Sequence, residues 1–216
     1  MAVSTPFVAD ASPRVRFDDV ARGVGYEFDG HVRTWAAHAV DDVVPALAAA
    51  EAQAAAGNWV VGFVAYEAAQ AFDVAFPAAP ADGSLPLAWF SAYASRQEGP
   101  LVLPPDDAPV MLDTQRVHGS EWYRSGVQAI RCRIEVGDVY QVNLTDRVTG
   151  TLIGDPYELY GSMVSTQGGS FNAYLDLGDH VVVSASPELF LEIDRDTITT
   201  RPVSYTHLTL PTSDLV

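Results

Sequence analysis

Apolar positions recur along this 216-residue chain in two rhythms, one of period two and one near 3.6, and the changes of rhythm mark its elements. RVRFDDV (14–20) and VGYEF (24–28) read as short strands around a turn. Asp41 or Asp42 can cap an alanine-rich helix reaching about Ala56, where Gly57 stops it. NWVVGFVAY (58–66) is nearly all apolar, with the aromatic and β-branched content that suits the centre of a sheet. A short helical piece spans Glu67 to Phe72, a proline, glycine and alanine loop covers 77–86, and LAWFSAY (87–93) is another strand. Residues 96–117, with prolines and paired aspartates, read as a long surface connection and as the internal boundary.

The second half is better punctuated. Ser120 can cap a helix over Glu121–Val136, ended by Gly137. In VYQVNLTDRV (139–148), Tyr140, Val142 and Leu144 alternate with Gln141, Asn143 and Thr145, which predicts a strand with one apolar and one polar face. DPYELYGSMV carries three helix-start signals: Asp155 as cap, Pro156 at the first helical position, and Glu158 to close a capping box. Strands FNAYLDL and HVVVSA follow, joined through Gly178-Asp179, and then ELFLEI and TITT, turning at Asp194–Asp196. Consecutive strands with short connections predict an α+β fold with large antiparallel sheets and helices on one side.

Composition narrows the function. A formal net charge of -16 disfavours both nucleic acid and an anionic membrane surface as partners. The chain has no lysine, which excludes a Schiff-base or lysine-nucleophile site within it. The single cysteine, Cys132, excludes an internal disulfide and lies opposite the stripe Tyr123, Val127, Ile130, Ile134 on a helical wheel. No basic region followed by an apolar run opens the sequence, and no apolar stretch approaches the roughly 20 residues needed to span a bilayer. A cytoplasmic location is the expectation.

Local motifs offer little chemistry. There is no phosphate-cradling glycine loop, no paired metal-spaced histidines and no GxSxG; His31, His38, His118 and His180 are scattered. One arrangement does better. In SASPELF, Pro187 fixes the backbone where an apolar strand ends, and Glu188 sits at that bend beside Leu189, Phe190 and Leu191. A carboxylate held against apolar neighbours favours its protonated form and can act as a general acid. A glutamate reaching solvent from a turn is the commoner arrangement. Gln141 and Asn143 present the same choice between a cleft lining and a solvated sheet face, and the aromatic residues of SFNAY between ligand platform and core.

GDVYQVNLT (137–145), DPYELY (155–160), SASPELFLE (184–192) and TTRPV (199–203) occur in an order that resembles the chorismate-utilising enzymes. Within them the chain is most similar to aminodeoxychorismate synthase component I, and GNWVVGFVAYEAAQAFD (57–73) resembles its short bacterial form. The resemblance implies stacked antiparallel sheets with outer helices, and chorismate bound in a cleft built largely from the later half. It implies replacement of the 4-hydroxyl by ammonia from a glutamine amidotransferase partner, with Mg2+ anchoring the substrate carboxylate through ligands beyond this chain. It also implies a lysine that attacks ring carbon 2 and a glutamate that protonates the departing hydroxyl. That glutamate carries over to Glu188. Relatives bind tryptophan between the sheets, and the segment matching one wall of that pocket is Ser170, Phe171 and Asn172. No Leu-Leu-x-Ser element stands near the N-terminus, which counts against tryptophan binding here.

The lysine is the main departure. Where the resemblance calls for Lys-Gly-Thr after Arg201-Pro202-Val203, this chain has Ser204, Tyr205 and Thr206. The expected organisation is therefore an N-terminal sheet region (1–110), the start of a chorismate-binding domain (111–203), and a non-family tail (204–216) of foreign origin. On this reading the 216-residue chain is an inactive fragment of an aminodeoxychorismate synthase component I. The alternatives are anthranilate synthase component I or an isochorismate-forming relative, and, in a different class, a non-enzymatic small-ligand binding domain.

Overall fold

The computed structural model of the protein describes residues 12–76, 85–106 and 109–202. In chain order its elements are β1 (Val15–Asp19), β2 (Val24–Ala37), α1 (Val40–Ala55), β3 (Trp59–Val64), a 3-10 turn (Tyr66–Ala71) and β4 (Ala88–Gly99). Then come β5 (Val110–Arg116), α2 (Ser120–Glu135), β6 (Val148–Ile153), α3 (Pro156–Gln167), β7 (Phe171–Asp176), β8 (Val181–Ser186), β9 (Leu189–Asp194) and β10 (Thr197–Arg201). The chain divides into two compact units, Met1–Pro105 with Tyr160–Val216, and Asp106–Leu159.

The first unit is a mixed α/β structure around a six-stranded antiparallel sheet of order β3-β4-β2-β1-β7-β8. Alternation along β4 supplies both faces. Ala88, Phe90 and Ala92 join Trp35, Ala37, Val43 and Ala46 in one cluster, where small side chains let α1 lie close to the sheet. Trp89 and Tyr93 face the other way, with Val15, Val61 and Leu175. Phe17 meets Phe28 edge to face and Phe28 meets Tyr93 at a tilt, with ring centroids 5.8 and 5.7 Å apart, within the range of favourable aromatic pairs. β9 and β10 form a separate two-stranded ribbon. The second unit is the β5–β6 ribbon and α2.

Most predicted elements are present, including the helix stops at Gly57 and Gly137, which adopt φ of 92° and 79°. Five expectations are corrected. β3 is an edge strand, with Trp59 and Val64 each 43 % exposed, because apolar content reports burial of faces and not rank in the ladder. α1 is preceded by Ala39 without a side-chain cap bond, and Asp41 and Asp42 lie in its first turn, where carboxylates favour the helix dipole. Ser120 is likewise already helical, with Gly119 as the uncapped boundary residue. The supposed surface connection 96–117 contains the end of β4 and all of β5. Finally, 139–147 carries no ladder pairing; the strand begins at Val148, because β5 pairs with 148–153. Leu144 instead packs on α2 at Gly126. Most of the loop expected at 77–86 lies outside the described residues, as does the tail from Val203. Among the described residues no helix is long and apolar enough to cross a membrane.

Candidate functional site

β8 ends at Ser186, and Pro187-Glu188 make the bend into β9. The bend is held locally: the Glu188 amide donates to Ser186 Oγ at 3.2 Å, and that hydroxyl donates to the Glu188 carbonyl at 3.2 Å. β9 returns as β10 through Arg195, a non-glycine residue at φ 52°. The register of this hairpin sets Arg201 opposite Leu189, so the Arg-Pro segment closes beside the Glu188 bend. Arg201 reaches Glu192 at 3.8 Å, and Thr200 Oγ1 donates to the Leu189 carbonyl at 3.4 Å. The apolar enclosure expected around Glu188 is not formed. The residue is exposed, and Phe190 and Leu191 are 87 % and 46 % exposed, since no layer among the described residues covers the two-stranded ribbon. Ser204 lies outside the described residues.

Ser170, Phe171 and Asn172 come together with β1, on which Asp18 sits opposite Asn172 and Phe17 opposite Ala173. They line a cavity of about 350 Å³ that also touches Phe17, Tyr26 and Arg96. The Arg96 guanidinium is stacked between Tyr26 and Trp59, 4.5 and 4.2 Å from their ring centroids. Beneath the cavity is a buried polar hub. The Asp18 carboxylate, fully shielded from solvent, accepts from Arg16 Nε at 2.7 Å, Arg16 Nη2 at 2.9 Å, the Val102 amide at 2.9 Å and the Tyr160 hydroxyl at 2.7 Å. Arg16 also donates to the Pro100 carbonyl at 2.6 Å and to Glu27 at 2.7 Å. A buried charge pair persists when its remaining donors and lone pairs are satisfied, and these are.

Asn172 completes the hub. Its Nδ2 donates to the Asp18 carbonyl at 2.9 Å and to the Gly169 carbonyl at 2.6 Å. Its Oδ1 is buried and has no hydrogen-bond partner among the described residues. An unsatisfied buried acceptor costs about 1–3 kcal/mol, which the two hydrogen bonds from Nδ2 offset in part.

In the second unit, His118 Nδ1 and Asp146 Oδ1 are 3.0 Å apart, and the imidazole stacks on Trp122 with centroids 4.0 Å apart. The hydrogen bond from His118, seconded by the backbone amides of Arg147 and His118, holds the Asp146 carboxyl below its ordinary value. Arg116 is 4.0 Å from the same carboxylate, and these groups border an open concavity of about 420 Å³ with Ser120 and Tyr123. Among the described residues no three of His, Cys, Asp or Glu come together as a metal-ligand group.

A family model for chorismate binding enzymes matches residues 7–209. The chain belongs to that family. It is similar to an anthranilate synthase component 1 of Thermus thermophilus, 36 % identical over 112 residues, which are 51 % of this chain and 24 % of that protein. Aminodeoxychorismate synthase component 1 of Klebsiella aerogenes is 34 % identical over 86 residues, 40 % of this chain and 19 % of its own. The Escherichia coli protein of the same name is 32 % identical over 108 residues, 50 % of this chain and 24 % of its own. The matched stretches thus span about a quarter or less of these relatives' length. Both names occur among chorismate-binding relatives at similar identity, so membership does not choose between the two products.

In this chain the structure brings the Glu188 bend and Arg201 to one hairpin and Ser170–Asn172 to one cavity wall. Gln141 and Asn143 are exposed. Sequence reasoning missed Asp18, Arg16 and Tyr160. A signal was present: Arg16 and Asp18 alternate on one face of a predicted strand, and a charged pair on a strand otherwise reading as core marks a buried ion pair. No comparable signal links His118 to Asp146, which are 28 residues apart.

Proposed function

We propose that this chain is part of an aminodeoxychorismate synthase component I, which exchanges the 4-hydroxyl of chorismate for an amino group. The observation that carries this reading is the hairpin register, which sets the Arg-Pro segment against the Ser-Pro-Glu bend. In this reading two stacked sheets form the complete fold, a glutamine amidotransferase subunit or domain supplies ammonia, and magnesium anchors the substrate carboxylate. Glu188 gives its proton to the 4-hydroxyl as the C4–O bond breaks, so that water and not hydroxide leaves, and ammonia forms the new C4–N bond. Exposure of Glu188 at a bend leaves it free to meet a substrate. The amine that would attack carbon 2 is not supplied by Ser204, so the sequence as it stands does not form that covalent adduct.

The deciding experiment assays the full-length protein, both with Ser204 and as Ser204→Lys, with chorismate, ammonium and magnesium, resolving products by mass, and turnover is expected only of the lysine form. Formation of 4-amino-4-deoxychorismate supports the reading, and Glu188→Gln is expected to lower kcat by about 100-fold or more. Anthranilate as product transfers the chain to the other branch. A folded Ser204→Lys form that binds chorismate without converting it sinks the enzymatic reading.

A second reading concerns the cavity at Ser170, Phe171 and Asn172. Its aromatic lining of Phe17, Tyr26 and Phe171 suits an aromatic amino acid such as tryptophan. β1, paired directly with β7, lines the same cavity, although it reads Phe17-Asp18-Asp19 and not Leu-Leu-x-Ser. Calorimetric titration with tryptophan tests it, and absence of heat at millimolar ligand rejects it.

A further inference from the structure

We propose that Asn172 is a positioning residue for Glu188, acting through the Gly168–Gly169 turn; the inference rests on the role assigned to Glu188 above. The path is short and contiguous. Asn172 Nδ2 grips two carbonyls at once, that of Asp18 in the buried hub and that of Gly169 in the turn entering β7. The Gly169 carbonyl is held from a second side by the Val20 amide at 3.3 Å. Gly169 in turn lies against the end of β8: a methyl group built on it would stand 3.1 Å from the Ser186 carbonyl and 3.8 Å from Pro187 Cα. Phe171 pairs with Ser186 in the same register, and Ser186 Oγ fixes the Glu188 amide. A rigid, fully buried carboxylate hub is thereby connected to an exposed two-residue bend that has no other layer to hold it. The unpartnered Oδ1 fits this assignment, because the amide is oriented by what its nitrogen must hold.

The test uses the full-length protein in its Ser204→Lys form and two kinds of variant. Asn172→Leu keeps the shape and removes both donors, whereas Asn172→Asp keeps acceptors and removes the donor group. Gly169→Ala disturbs the same contact from the other side without touching the hub, so it decides the matter if the Asn172 variants do not fold. All three are expected to lower kcat by roughly 10- to 100-fold with KM nearly unchanged, and to displace the limb of the kcat–pH profile that Glu188→Gln abolishes. A merely structural role would lower thermal stability and leave that limb in place, which overturns the proposal. Activity retained by Asn172→Asp and lost in Asn172→Leu also overturns it, by assigning the role to the acceptor oxygen. If Glu188→Gln itself leaves turnover intact, the reading of Glu188 fails and the inference falls with it. If Glu188→Gln abolishes turnover while Gly169→Ala and Asn172→Leu change nothing, only the positioning role fails.

Discussion

The two units of this chain present the same sequence rhythms with opposite outcomes. In the unit around the six-stranded sheet, period-two and 3.6-residue patterns end in burial: Trp35, Val43, Trp89 and Tyr93 are each 4 % exposed or less. In Asp106–Leu159 the patterns are as regular, yet α2 buries none of its residues. Tyr123 and Ile134 on its apolar stripe are 51 % and 42 % exposed, and on the ribbon Val110 and Ile153 are 53 % and 55 %. A hydrophobic pattern states which face needs cover; only another layer supplies it. The family motif GDVYQVNLT belongs to the uncovered unit, and SASPELFLE runs into the exposed β9–β10 ribbon. In this protein the most recognisable residues are therefore not the ones that hold the fold together.

The sharpest way to break that contrast is truncation of equivalent stripe residues. Trp35→Ala removes a large side chain from a closed cluster and is expected to cost about 3–5 kcal/mol. Ile134→Ala on α2 is expected to cost about 1 kcal/mol or less, since 42 % of the residue is already exposed to water. Urea unfolding followed by circular dichroism, with amide exchange read separately over β2–β4 and α2, gives both numbers. Equal losses would mean that Asp106–Leu159 has a core of its own.

Glycines sharpen the comparison at smaller amplitude. At Gly62 in β3 a methyl group would collide with the Trp89 carbonyl and the Phe90 ring, backbone and core that cannot retreat. Gly62→Ala is expected to destabilise the sheet by about 1–3 kcal/mol. At Gly126 in α2 the nearest atom is a Leu144 methyl at 3.0 Å, the far end of a side chain free to turn aside. There the helix preference for alanine dominates, and Gly126→Ala is expected to raise stability by up to about 1 kcal/mol. Melting curves of the two variants should move in opposite directions.

How much of this was legible in the sequence follows the same division. Elements with a strong local cause were readable: α3 begins at Pro156 with Asp155 Oδ1 accepting from the Tyr157 amide, and β7 turns into β8 at Gly178. Ladder partners are non-local, so alternation over 139–148 predicted a strand that finds its pairing only from Val148 onward. The rank of β3 at the sheet edge was hidden for the same reason. At the candidate site, Glu188 at its bend and the Ser170–Asn172 wall were legible from motif and position. The hub beneath them was not, because Asp18 meets Tyr160 across 142 residues and Val102 across 84.

The smallest effect separates the units by pH. Burial pushes the His31 imidazole below its ordinary 6.5, where Nε2 and Thr34 Oγ1 lie 2.8 Å apart beside the Tyr93 ring. The unfolded chain then binds the extra proton more readily than the folded one. The stability His31 contributes is complete above pH 6.5 and is lost as pH falls from there through its folded value. Asp146 is also depressed, from 3.8, chiefly by the hydrogen bond from His118. Its contribution is complete above 3.8 and is lost only as pH falls further, with Arg116 the other charge facing it. Acid should therefore loosen the β2–β4 region first, and His31→Gln should remove that step while leaving the Asp146 step in place. Exchange of β2–β4 amides reports one transition, and exchange of α2 amides reports the other. A single shared transition for both probes would show that the two units unfold as one, and the contrast in their burial would then carry no contrast in stability.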